Sequence, residues 1–165
     1  DERVILISGA SKKYAMTGWR IGYIIAPKPI ASLINQVMVT TIGNATAVAQ
    51  KAVEAAITGP QDFVEESKRQ YRDRRDSAAA IFDEEKVGFY YPHGAFYIMV
   101  DISCCDMDSE EFALKLLAEE KVAVAPGSTF GESSRQMIRI SCGTDKEDLC
   151  EGIRRLCRFI KKYTK

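Results

Sequence analysis

Two cationic side chains with different chemistry lie near the start of the chain, in a Gly-containing segment between two apolar runs. Lys12 carries a primary amine, which suits Schiff-base formation with a carbonyl, and Arg20 carries a planar guanidinium, which suits a phosphate. The flanking runs at 4–7 and 21–25 are rich in β-branched residues and bounded by Gly or Pro, which predicts two short buried strands. The sequence therefore predicts an antiparallel hairpin with Lys12 and Arg20 at the same end.

A third cationic side chain, Arg139, lies between Ile138 and Ile140 in a strand predicted at 137–141. Because side chains alternate along a strand, Arg139 points to the sheet face opposite both neighbours. A charge at that position needs a partner, and the guanidinium fork matches a carboxylate. A salt bridge to a structural acid is the alternative interpretation.

Four segments in order along the chain carry a family resemblance. The segment 11–23, Ser-Lys-Lys-Tyr-Ala-Met-Thr-Gly-Trp-Arg-Ile-Gly-Tyr, resembles the cofactor-lysine signature of class I/II aminotransferases, the fold-type-I enzymes that use pyridoxal 5′-phosphate. It is most similar to the prokaryote-type aspartate aminotransferase branch. The segments 92–97, 124–131 and 138–141 agree with the same family in order and character. The resemblance covers essentially the whole chain.

The resemblance implies a role for each candidate site residue. Lys12, which directly follows the serine and is thereby preferred over Lys13, would bind the cofactor aldehyde as a Schiff base. Ser11 and Arg20 would hold the cofactor phosphate, and Arg139 would bind the substrate α-carboxylate. Without the motif, Lys12 would be interpreted as a solvent-exposed loop lysine and Arg20 as a charge at a strand edge.

The resemblance also implies an α/β (α+β) fold: the C-terminal small domain of a fold-type-I aminotransferase plus the last hairpin of its large domain. Residues 1–60 would be a remnant of the large cofactor-binding domain, 61–87 a connector helix, and 88–165 the small domain. Enzymes of this family are considerably longer. We therefore expect a C-terminal portion, without the phosphate-binding loop, the aromatic that stacks on the pyridine, and the aspartate that pairs with the ring nitrogen.

Hydrophobic periodicity and capping signals predict the remaining elements. Helices are expected from residue 30 to a break at Gly43 and at 45–57, 61–82, 109–119 and 144–162, and strands at 94–101, 121–124 and 137–141. We expect the strands at 94–101 and 137–141 to be antiparallel neighbours, with the last two helices on one face. The Ala-rich helix at 45–57 is expected to be buried, and Trp19 and Tyr23 are expected to pack in the core.

Composition narrows the class of protein. The chain has 23 basic and 23 acidic residues, a balance that gives no electrostatic reason to bind nucleic acid or a membrane surface. No apolar run approaches the ~20 residues that span a bilayer. The five cysteines lack metal-ligand spacing and there is one histidine, so we expect no metal site. Reduced buried thiols favour a cytoplasmic protein.

The resulting functional hypothesis is a homodimeric enzyme that moves an amino group between an amino acid, aspartate or a related one, and a 2-oxo acid. A β-lyase or a carbon–carbon bond-forming synthase of the same fold type is an alternative. A stable α/β domain without activity is a third interpretation, and we expect it to describe the isolated 165-residue chain.

Overall fold

The computed structural model describes residues 2–164 as a mixture of helices and antiparallel sheets that divides into two compact units. The first unit takes the residues up to Ser67 and the second those from Lys68. The division falls within one long helix, Asp62–Glu85. The boundaries at residues 60 and 87 that the sequence suggested stay a prediction.

The first unit is built around a two-stranded hairpin. Its elements in chain order are β1 (Leu6–Gly9), α1 (Ala10–Lys13), a 3-10 turn (Thr17–Trp19), β2 (Gly22–Ile25), α2 (Lys28–Thr41), α3 (Ala47–Thr58) and the start of α4 (Asp62–Glu85). The strands are antiparallel, with Leu6 opposite Ile25 and Gly9 opposite Gly22. The predicted hairpin is confirmed, although β1 lies at Leu6–Gly9 rather than at 4–7. The expected loop also contains the one-turn helix α1, which no periodic pattern signals.

Three expectations about burial in the first unit are wrong. The strands predicted to be buried are exposed at residues 6–8 and throughout β2. Trp19 and Tyr23 are 46% and 40% exposed, because a hairpin of two four-residue strands covers neither of its own faces. In α3 only Ala49 and Val53 are buried. Its larger apolar side chains Val48 and Ile57 are 70% and 46% exposed, so the helix lacks cover on most of its surface.

The second unit holds a four-stranded antiparallel sheet in the order β3-β4-β6-β5. Its elements are the rest of α4, β3 (Phe89–Tyr90), β4 (Tyr97–Asp101), α5 (Ser109–Glu120), β5 (Ala125–Pro126), β6 (Met137–Ser141) and α6 (Lys146–Tyr163). Pairing of β4 with β6 confirms that the two predicted strands are neighbours. The strand expected at 121–124 and ending at Pro126-Gly127 lies instead at Ala125–Pro126, because Lys121 adopts left-handed backbone (φ 58°) and ends α5.

Helices cover one face of this sheet, and the other face is partly exposed. Ile98, Val100, Ile138 and Ile140 alternate along β4 and β6 and are buried. They join a single core with helical residues Ala78, Ile81, Phe82, Phe112, Leu116, Leu149, Ile153, Leu156, Phe159 and Ile160. The predicted helix cover on one face is therefore confirmed. The alternate positions of β4 and β6 point to the opposite face and are partly exposed.

Candidate functional site

Two glycines close the end of the hairpin from which the connecting segment leaves. Gly9 and Gly22 are directly opposite each other in the register. A Cβ on Gly22 would lie 2.9 Å from the Ser8 carbonyl oxygen, and one on Gly9 would lie 3.3 Å from that of Ile21. The strands therefore approach more closely here than side chains would allow. The two ends of the connecting segment 10–21 therefore lie close together in space.

Ser11 and Lys12 lie in α1, immediately after β1. Ser11 is half-buried and Lys12 is exposed. The helix ends at Tyr14, whose backbone N–H donates to the Ala10 carbonyl at 3.1 Å. The Tyr14 hydroxyl donates to Oε1 of Gln61 at 3.3 Å, which ties the connecting segment to the chain just before α4. Lys12 is thus presented on a short, anchored turn.

The neighbouring Lys13 lies close to an aromatic ring. The Lys13 ammonium lies 5.0 Å from the centroid of the Tyr14 ring, within the range of a cation–π contact. Lys12 and Lys13 belong to the same helix and are both exposed, so substitutions at the two positions can be compared directly. Lys13 is the natural matched control for Lys12.

Arg20 lies at the other side of the same connecting segment. It follows the 3-10 turn with left-handed backbone (φ 50°, ψ 50°), and Ala15 has φ 52°. Non-glycine residues in this region are strained, and such strain often accompanies functional segments. One guanidinium nitrogen of Arg20 donates to the Thr17 carbonyl at 3.0 Å, and the side chain is exposed. Ser11, Lys12 and Arg20 therefore share one end of the hairpin, as predicted for Lys12 and Arg20.

Arg139 belongs to the second unit, in the middle of β6. Its neighbours Ile138 and Ile140 enter the core, so the alternation predicted from the sequence is confirmed. Across the sheet it stands opposite Met99 in β4 and Ala125 in β5. Arg139 is partly exposed on the face that the helices leave uncovered.

Two aromatic rings contact the Arg139 guanidinium. Its central carbon lies 4.1 Å from the centroid of the Tyr97 ring and 4.5 Å from that of Phe130. Within residues 2–164 no acidic side chain forms an ion pair with Arg139. The structural salt bridge that the sequence left open is thus not formed among these residues. No carboxylate in the described part of the chain therefore pairs with the Arg139 guanidinium or accepts a hydrogen bond from it.

Sequence reasoning missed Tyr97 and Phe130 as members of this cluster. Both lie inside segments that carried the family resemblance, 92–97 and 124–131, but nothing in their spacing relates them to Arg139. The strand register brings Tyr97 and Arg139 together. Tyr97 pairs with Ser141, and Arg139 lies two residues before Ser141 on the same face of the sheet. The signal that could have found Tyr97 is this antiparallel pairing.

Three of the five cysteines, Cys105, Cys142 and Cys157, have buried thiols. Burial raises the pKa of the Cys105 thiol to about 12 and that of Cys157 to about 11, and it raises the pKa of Cys142 as well. All five cysteines are free thiols. Across residues 2–164 no group of three or more His, Cys, Asp or Glu side chains could hold a metal ion, and no helix has both the length and the apolar character to cross a bilayer.

Comparison with known proteins identifies the family. The model of the aminotransferase class I and II family matches residues 1–156. An aspartate aminotransferase of Bacillus subtilis (strain 168) is 35% identical over 169 residues, which cover 99% of this chain and 42% of the relative. An aspartate aminotransferase of Pyrococcus horikoshii is also 35% identical and covers 94% of this chain.

Solved structures agree with this result. The aromatic aminotransferase from Pyrococcus horikoshii OT3 superposes with a TM-score of 0.90 at 34% identity, covering 98% of this chain and 44% of that one. A Thermus thermophilus aspartate aminotransferase mutant gives a TM-score of 0.89 at 34% identity, covering 96% and 44%. The chain thus spans about two-fifths of the length of the relatives that it matches. By its sequence and its fold, this chain belongs to the class I and II aminotransferase family.

Proposed function

We propose that this chain is the portion of a pyridoxal-phosphate-dependent aminotransferase that carries the cofactor lysine. The family as a whole is generally dependent on that cofactor. The observation that carries the proposal is the grouping of Ser11, Lys12 and Arg20 at one end of the hairpin, in a chain that belongs to this family. The proposed reaction exchanges an amino group between an amino acid and a 2-oxo acid.

Lys12 is the proposed attachment point and proton carrier. When bound, pyridoxal phosphate supplies an electron sink that stabilises negative charge at the substrate Cα. The Lys12 amine would bind the cofactor aldehyde. As a positioned general base and acid, the same amine would take up and return a proton at the substrate Cα. The exposure of Lys12 and its short, anchored helix suit both tasks.

Ser11 and Arg20 are the proposed partners of the cofactor phosphate. Ser11 directly precedes Lys12 in α1, and Arg20 lies at the same end of the hairpin. A doubly charged phosphate favours charge-assisted hydrogen bonds from a planar guanidinium. One N–H group of Arg20 donates to the Thr17 carbonyl, which orients the guanidinium. The remaining N–H groups can donate to phosphate oxygens.

Arg139 is the proposed receptor for the substrate α-carboxylate. Its guanidinium has no acidic partner within residues 2–164, and it lies on the uncovered face of the sheet. A bidentate pair with a carboxylate would satisfy the charge that the described chain leaves uncompensated. The amino acid is proposed to be aspartate or a related one, since two relatives that are 35% identical are named aspartate aminotransferases.

The assembly and setting of the enzyme are also proposed. We propose a homodimer in the cytoplasm, in which the rest of a family-length chain supplies the ring-nitrogen acid, the stacking aromatic and the phosphate loop. Five free thiols, three of them buried, suit a reducing compartment. On the same reasoning, we expect the 165-residue chain alone to bind pyridoxal phosphate weakly or not at all, which absorbance titration of that chain would measure.

The proposal is tested by the products and by a pair of lysine variants in the full-length protein. With an amino acid and 2-oxoglutarate, transfer yields glutamate, whereas a β-lyase yields pyruvate and ammonia. Lys12→Ala should abolish turnover and the visible absorbance of the bound cofactor, while Lys13→Ala retains both. Pyruvate and ammonia as the main products would favour the lyase alternative. Undiminished turnover in Lys12→Ala would contradict the assignment of the lysine.

A further inference from the structure

Resting on the proposed carboxylate role of Arg139, we infer that Phe130 and Tyr97 are positioning residues that aim its guanidinium at the substrate carboxylate. The inference starts from how this arginine is held. Its central carbon lies 4.1 Å and 4.5 Å from the two ring centroids, and no acidic side chain within residues 2–164 pairs with it. The side chain is therefore oriented by π faces instead of by an ion pair.

The difference between these two ways of holding an arginine matters for binding. A carboxylate neutralises the charge and occupies the N–H donors that a substrate would need. Aromatic faces attract the cation through their quadrupole and leave the N–H groups at the guanidinium edge available. Rings also replace water next to the cation, which strengthens an ion pair formed there later. Tyr97 and Phe130 thus orient Arg139 without competing for its ligand.

Phe130 is placed by a turn that leaves little freedom. The turn begins at Gly127, where a Cβ would lie only 2.0 Å from the Ser134 carbonyl oxygen and 2.4 Å from that of Met137. The Ser128 N–H donates to the hydroxyl of the fully buried Ser109 at 3.1 Å. The Thr129 hydroxyl donates to the Pro126 carbonyl at 2.7 Å. This network fixes the backbone that carries Phe130, although the ring itself is 48% exposed.

Tyr97 is placed by the sheet and by a row of rings. It opens β4, pairs with Ser141, and lies diagonal to Arg139 on the same face. Its ring centroid lies 4.3 Å from that of Phe96, which lies 5.4 Å from that of Tyr71 in α4. Because these contacts tie Tyr97 into the unit, a change at Phe130 is the cleaner test.

The test compares Phe130→Leu, which removes the ring but keeps an apolar side chain, with Phe130→Tyr, which keeps the ring. In the full-length protein with pyridoxal phosphate, the probe is succinate, a dicarboxylate that cannot react, measured by its dissociation constant. Phe130→Leu should weaken succinate binding roughly 3- to 30-fold and raise KM more than it lowers kcat, while Phe130→Tyr restores most of the affinity. Leu117→Ala, which removes an equally exposed apolar side chain, is the control for surface loss.

A second readout does not depend on activity. In the 165-residue chain, the Nε–Hε resonance of Arg139 should move in Phe130→Leu, because the ring current is lost, and move much less in Phe130→Tyr. In an Arg139→Ala background, Phe130→Leu should cause no further loss of succinate affinity.

The outcomes separate the inference from the function on which it rests. Wild-type succinate affinity in Phe130→Leu, or an undiminished effect of that change without Arg139, overturns the positioning role while the proposed function stands. Wild-type affinity in Arg139→Ala overturns the carboxylate role itself.

Discussion

Gly127 offers the sharpest test of the packing that supports the site. Substitution to alanine would place a methyl group 2.0 Å from the Ser134 carbonyl oxygen and 2.4 Å from that of Met137. Ordinary van der Waals contacts begin at 3.4 Å, so one of the two backbone segments must move by more than about 1 Å. Neither obstacle is a flexible side-chain end. The cost therefore lies toward the upper end of the roughly 1–3 kcal/mol typical of overpacking.

The size of the effect follows from the size of the unit. For a domain of 60–100 residues, 1 kcal/mol corresponds to about 4–8 °C in Tm, so Gly127→Ala should lower Tm by roughly 10–20 °C. Far-ultraviolet circular dichroism follows the helices, and fluorescence of Trp19 follows the first unit. Because Gly127 lies in the second unit, the loss should appear in the dichroism more than in the fluorescence.

The matched control is another glycine of the same unit. Gly152 lies within α6, and a Cβ there would meet no atom within 4 Å. Alanine at 152 should therefore stabilise the protein by about 0.5–1 kcal/mol, the usual gain over glycine inside a helix. If Gly127→Ala unfolded at the same temperature as the wild type, the close packing of this turn would be refuted.

Three further results are expected from the packing of the second unit. Phe112→Ala should lower the free energy of unfolding by about 3–5 kcal/mol in a denaturant titration, because the fully buried Phe112 ring packs edge-on against Phe159. Leu114→Ala, on the exposed side of α5, should change it by no more than about 0.5 kcal/mol. Equal losses in the two variants would contradict the assignment of Phe112 to the core. Iodoacetamide should label Cys104 well before the buried Cys105, and the reverse order would contradict their exposures. Burial raises the pKa of Cys105 to about 12 from an ordinary value near 9, so between these pH values the folded state keeps a proton that the unfolded state loses. The free energy of unfolding should therefore fall as pH rises from about 9 toward 12. A free energy of unfolding that stays constant over this pH range would contradict the burial of this thiol.

The sequence predicted the parts of the fold that depend on local patterns. The hairpin follows from two β-branched runs on either side of a Gly-containing segment. The pairing of β4 with β6 and the helix cover follow from alternation and amphipathic spacing. Family motifs picked out Ser11, Lys12, Arg20 and Arg139, and their roles remain predictions. Burial of Trp19 was wrong because apolar character does not reveal how much cover a two-stranded hairpin provides.

The aromatic contacts of Arg139 could not be predicted for a different reason. Tyr97, Phe130 and Arg139 come from three separate segments, and only strand register and the turn after β5 bring them together. The left-handed backbone of Arg20 and Lys121 is equally invisible to residue-type rules, which assign that region to glycine and asparagine. Long-range pairing and unusual backbone thus account for most of what the sequence left open.

The central claim is that Lys12 carries the cofactor, and borohydride trapping tests it most directly. The full-length protein is incubated with pyridoxal phosphate, reduced, digested with a protease that does not cleave at lysine, and mapped by tandem mass spectrometry. We predict that the pyridoxyl phosphate group is found on Lys12, that Lys13 is unmodified, and that specific labelling is lost in Lys12→Ala. Stoichiometric labelling of Lys13 or another lysine, with Lys12 unmodified, would contradict it.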